Sequence, residues 1–183
     1  MDNGYCRSCV YSGIAIVIIM PILEIRKFKD KILKKKARKI RKIDDKIKNL
    51  ADDMAQTMRT YQGIGLAGPQ VGVLKRIIVI EADFQNRGVL ALINPKIIRK
   101  SKEKKTDKEG CLSFPDIYLD IKRSKKIKVK AQNIKGEKVI VDAEGLIARA
   151  IQHEIDHLNG IVFYQRLGLI KSILFKRKYL KKI

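Results

Sequence analysis

The stretch AIQHEIDHLNG (150–160) constrains this chain more than any other, because it holds both of its histidines. Leu146, Ile147, Ala150, Ile151, Ile155 and Leu158 recur at helical spacing, which predicts a helix from about Glu144 to Asn159, stopped by Asn159-Gly160. Residues four apart on a helix project from one face, so His153 and His157 can share a metal ion. Glu154 stands next to the first imidazole, where a carboxylate can take a proton from a water on that metal. The bland alternative is a helix with histidines on its polar side. Both histidines falling within one H-E-x-x-H pattern argues against coincidence.

A catalytic metal normally keeps three protein ligands and one open position. After His157 the chain contains no His, Asp, Glu or Cys, so a third ligand must come from upstream. Asp156 is a poor choice, since it points about 100° away from His157 around the helix. Cys111, in EGCLSFP (109–115), is the best candidate: it is the only cysteine in the body of the domain. A buried structural cysteine is the competing reading. A site of one Cys and two His is borderline in softness and suits zinc, iron(II), cobalt or nickel.

GIGLAGPQ (63–70) is rich in glycine but is not a phosphate loop, for it lacks G-K-S/T and the G-x-G-x-x-G spacing. Such loops are commonly turns. Glycines also let a substrate approach the backbone, and Gln70 could offer a side-chain N–H to a developing oxyanion.

Upstream, Ile47, Leu50, Ala51, Met54 and Met58 predict a helix from about Asp45 to Arg59, capped by Asp44 or Asp45. RIIVI (76–80) reads as a buried strand, ALINPKII (91–98) as a strand broken at Pro95, and 99–108 as a charged loop. Residues 126–144 alternate in polarity around Lys135-Gly136, as a hairpin does. The order of elements suggests an α+β domain. The basic end of the chain, GLIKSILFKRKYLKKI, is expected to be helical.

The chain is 183 residues long and 45 % hydrophobic, enough for one domain with a core. Forty-one Lys and Arg against nineteen Asp and Glu leave a charge of +22. Such a field favours nucleic acid, anionic membranes or ribosome surfaces, unless it is compositional drift. Residues 24–48 carry thirteen Lys or Arg and four Asp or Glu, and read as a solvated surface. Three cysteines make no disulfide framework, which fits a cytoplasmic location. GIAIVIIMPIL (13–23) is too short to span a bilayer and carries no export signal, and Cys6-x-x-Cys9 lacks a second half for zinc.

Three motifs in this order, GIGLAGPQ, EGCLS (109–113) and HEIDH (153–157), resemble those of the peptide deformylases. These enzymes remove the N-formyl group from the initiator methionine of new bacterial and organellar proteins, releasing formate. The resemblance implies an α+β fold, with antiparallel sheets packed around a central helix that carries H-E-x-x-H. It covers a catalytic domain at about 20–167, leaving 1–19 as an unmatched leader, with Met20 a possible start, and 168–183 as a basic tail. It implies that Cys111, His153 and His157 bind the metal, commonly Fe(II), with Zn, Ni or Co also supported. Glu154 would be the general base and would later protonate the leaving amine. The Gln70 side chain and the Leu112 N–H would stabilise the oxyanion, and Ile64, Gly65 and Gly110 would line the peptide cleft with backbone. The expected partners are N-formylmethionyl nascent peptides and, through the basic tail, the ribosome surface; the protein is expected to be a monomer with no membrane partner. The family usually has Ala where Gly68 stands, which would loosen this loop. A metallopeptidase and a basic RNA- or ribosome-binding module with a vestigial site are the rival readings.

Overall fold

The structure, a computed structural model, describes residues 21–83 and 88–180, with the backbone of 10–11 and 14–15. The expectations for Cys6-x-x-Cys9 and for a leader over 1–19 lie outside the described side chains. Strands β1 (Val10–Tyr11) and β2 (Ile14–Ala15) pair with each other. The main sheet is five-stranded and antiparallel, in the order β3 (Gly65–Ala67), β4 (Ile77–Asp83), β5 (Gly88–Lys100), β8 (Lys126–Gln132) and β9 (Lys138–Glu144). A second antiparallel pair joins β6 (Lys104–Cys111) to β7 (Phe114–Ser124).

The first four residues of β4, Ile77–Ile80, are all apolar because both faces of the strand are covered there. Ile78 and Ile80 point to one side, where they pack with Ala148, Ile151, Ile155 and Leu158 of α2 (Gly145–Leu158). Ile77 and Val79 point to the other, against Ile47, Ala51, Met54 and Met58 of α1 (Asp45–Thr60). The Asp44 carboxylate caps α1 by accepting from Ile47 N at 3.1 Å. Helix α2 also touches β3, β7, β8 and β9, so elements of both sheets reach it. After Leu158, Gly160 at φ 72° and the Ile161 N–H to Asp156 carbonyl bond (2.9 Å) close the helix. The last described helix is α3 (Leu169–Leu180).

Three local expectations change. The loop expected over 99–108 is mostly strand: β5 runs to Lys100 and β6 begins at Lys104. Strand β6 lacks an apolar face, since Glu109 is its one buried residue, and periodicity therefore misses it. Pro95 does not end its strand. The register shifts between Ile93 and Lys96, Asn94 takes φ 53°, and the Asn94 amide bonds both backbone groups of Ile40 at 2.9 and 2.8 Å. The segment 24–48 keeps its cations in solvent but is more than a surface, for Ile25, Leu33, Ala37, Ile40 and Ile47 are buried.

Candidate metal centre and active site

Cys111 ends β6, and a two-residue turn, Leu112-Ser113, leads into β7. This tight hairpin carries the thiol across to His153 on α2, 42 residues further along the chain. The Cys111 sulfur and one nitrogen each from His153 and His157 lie within 4.8 Å of one another, with Cys111 Sγ 3.3 Å from His157 Nε2. Tetrahedral bonds of about 2.0–2.3 Å would set such donors roughly 3.3–3.8 Å apart, so small side-chain adjustments suffice to hold one ion. The donor set fits a borderline-soft divalent metal.

The tautomer is prepared as well. His153 Nδ1 lies 3.1 Å from Glu109 Oε2, and a carboxylate there accepts the Nδ1 proton and leaves Nε2 to ligate. Glu109 is itself held by Arg123, through Nε and Nη2 at 2.9 Å each, and by Arg149 Nη1 at 2.6 Å. Arg123 Nη1 also donates to Asp156 at 2.5 Å, and Arg166 pairs with the same carboxylate. Burial pushes the Glu109 carboxyl up, but the hydrogen bonds from His153 and Arg123 outweigh it and hold it at about 2. Burial, with the charges of His153 and Arg123, pushes His157 well down, toward the neutral form that ligates. For His153 burial acts downward too, yet the bonds to Cys111 and Glu109 outweigh it and draw positive charge to this spot.

Glu154 is buried beside the candidate metal ligands, and its Oε2 has no hydrogen-bond partner among the described residues. Burial raises its pKa to about 7, so a proton can be gained and lost there near neutrality. A Cβ on Gly65 would stand 2.6 Å from Glu154 Oε1, so the glycine is what lets β3 pass this close to the carboxylate. Gln70 sits in the 3-10 turn Gly68–Val71, where its Oε1 accepts from Ala67 N–H at 2.7 Å. A backbone N–H can only donate, which fixes the amide orientation and turns Nε2 toward Cys111 Sγ (3.6 Å) and Ser113 Oγ (3.4 Å). A Cβ on Gly68 would meet the carbonyl oxygens of Lys75 and Val73 at 2.7 and 2.8 Å. In this backbone position 68 therefore has no room for a side chain.

Ile64, Gly65, Gln70, Gly110, Cys111, Leu112, His153 and Glu154 line one cleft, which brings together all the residues singled out from the sequence except His157. His157 lies fully buried beneath it. Sequence reasoning assigned no role to Glu109, Arg123 or Arg149, nor to the cleft-lining Lys27, Tyr118 and Leu146. Glu109 adjoins Gly110 and Cys111 in a quoted motif, which was the available signal.

The sequence profile of polypeptide deformylases matches residues 22–172. The chain belongs to this family. Peptide deformylase 1 of Clostridium acetobutylicum is 49 % identical over 149 residues, covering 81 % of this chain and 97 % of that protein. The peptide deformylase of Thermotoga sp. strain RQ2 is 45 % identical over 154 residues, covering 84 % and 92 %. The crystal structure of peptide deformylase from Thermotoga maritima superposes with a TM-score of 0.77 at 44 % identity, over 81 % of this chain and 99 % of that one. The Ehrlichia chaffeensis peptide deformylase, solved in complex with actinonin, gives 0.82 at 41 % identity, over 89 % and 98 %. Deformylases remove the N-formyl group from new proteins, and the family is metal-dependent. The α+β fold with antiparallel sheets is the deformylase fold. No described helix is long and apolar enough to cross a membrane.

Proposed function

We propose that Cys111, His153 and His157 hold one divalent ion, Fe(II) in the native protein, and that Glu154, Gln70 and Leu112 carry out deformylation around it. The observation that carries this reading is the meeting of the three donors with an unpartnered, buried Glu154 Oε2 at the floor of one cleft. When bound, the ion supplies Lewis acidity and lowers the pKa of water at the site. Glu154, tuned to about 7, takes the proton that water gives up and delivers it to the leaving nitrogen, so that formate departs from a free amine. Gln70 Nε2, aimed by the Ala67 bond, and the Leu112 N–H donate to the negative oxygen of the tetrahedral intermediate. The backbones of Ile64, Gly65 and Gly110 border the cleft and bind the formylmethionyl peptide. In this proposal the protein acts as a monomer, in the cytoplasm where nascent chains emerge.

The basic tail, 168–183, supplies the ribosome contact in this proposal. Its helix α3 turns Leu169, Ile170, Ile173 and Leu174 to solvent, an apolar stripe suited to a protein surface. The test of the chemistry is formate release from formyl-Met-Ala-Ser by protein purified without oxygen. Activity abolished by Glu154→Ala with the metal retained is the expected result. Metal-loaded protein that leaves the formyl peptide intact, or that cleaves unformylated peptides instead, overturns the assignment.

A further inference from the structure

Between Asp30 and Asp44 the chain has eight Lys and Arg (31, 34, 35, 36, 38, 39, 41 and 42) and no acid. All eight are exposed, while the apolar residues among them, Ile32, Leu33, Ala37 and Ile40, are buried or half-buried. The backbone beneath them is pinned. Ala37 N donates to Leu158 O at 2.9 Å, Arg38 N to Leu74 O at 2.9 Å, Arg76 N to Arg38 O at 2.9 Å, and Asn94 clasps Ile40 from both sides. Some lysines elsewhere have acidic partners: Lys126 pairs with Glu144, Lys128 with Asp142, Lys125 with Glu103 and Lys105 with Asp107. Among the described residues no ion pair engages any of the eight.

We infer that residues 31–42 form a pre-organised docking strip for the phosphate backbone of RNA. Drift toward lysine would scatter cations among acids, as the sheet does. Here they are gathered on one ordered, acid-free segment. From Lys34 to Lys42 an extended chain spans up to about 30 Å at about 3.3 Å per residue. That length is enough to follow several successive phosphates; in duplex DNA each strand carries one about every 3.4 Å of axis. Because the strip is already anchored, binding orders side chains but little backbone. An anionic bilayer fits less well, since a membrane-binding surface adds apolar side chains that enter the lipid, and this strip exposes none. Lys27, four residues before the strip, lines the cleft and donates to Leu112 O at 3.2 Å. The inference does not depend on the catalytic assignment.

The test measures affinity for a fluorescent RNA hairpin by anisotropy across a salt series. The variant K35Q/K36Q/K39Q/R41Q alters only exposed heads. It is expected to bind at least about tenfold more weakly at low salt, with the slope of log K against log salt reduced by about 3. A control with the same loss of charge on the main sheet, K96Q/K100Q/K130Q/K138Q, is expected to stay near wild-type affinity. Equal weakening of both variants would make the binding a matter of net charge and overturn the strip. Wild-type protein that binds phosphatidylserine vesicles but not RNA would also overturn it. Formate release from a short formyl peptide by the strip variant is read separately and should match wild type. RNA binding without that release would count against the catalytic reading alone.

Discussion

Gly65 and Glu154 show how closely single residues are matched in this site. Adding one methyl in Gly65→Ala sets carbon 2.6 Å from Glu154 Oε1, so the carboxylate must move. A displacement of about 1 Å at a catalytic group costs about 10²-fold. The expected outcome is that kcat for formate release falls by about that factor while circular dichroism and metal content stay at wild-type levels. Gln70→Ala removes one of the proposed oxyanion donors and should lower kcat about 10²–10³-fold with a small change in KM. The residues visible in the sequence were those whose type and spacing are rare together: two histidines a helical turn apart, one body cysteine, and a glutamine closing a glycine loop. Glu109, Arg123 and Asp156 were not visible as a unit, because common charged residues 14 to 47 positions apart show no period. Only the fold reveals that Arg123 bridges Glu109 of β6 and Asp156 of α2.

That bridge ties elements together. Glu109 stands on β6, two residues before the metal-ligand candidate Cys111, and grips His153 on α2. Glu109→Gln should weaken metal binding about 10–100-fold, read by competition with a chromogenic chelator, because the amide orients and polarises the imidazole less well. Arg123→Ala leaves two buried carboxylates without their shared partner and should cost about 3–5 kcal/mol in denaturant unfolding. Elements with a clear apolar period, α1, α2, β4 and the β8–β9 hairpin, were legible before the fold was known. The β6–β7 hairpin was not. Its first strand is exposed and charged, and is held by ladder hydrogen bonds and by Glu109 rather than by an apolar face.

At the scale of the molecule, two helices cover opposite faces of one strand, and this sandwich fixes the position of everything else. Helix α2 brings both histidines and Glu154 to one side, β3 passes close beneath Glu154, and the β6–β7 turn delivers Cys111 and Leu112 from a second sheet. Eight of the forty-one cations behind the charge of +22 lie on one anchored, acid-free segment, which starts four residues after the cleft-lining Lys27. Catalysis as proposed depends on one ion held by Cys111, His153 and His157. Titrating metal-free protein anaerobically with Fe(II) while following formate release from formyl-Met-Ala-Ser tests it most directly. Activity should rise in proportion to added ion and level off at one per chain. Full activity in the metal-free protein, or none at one bound ion per chain, would contradict the account.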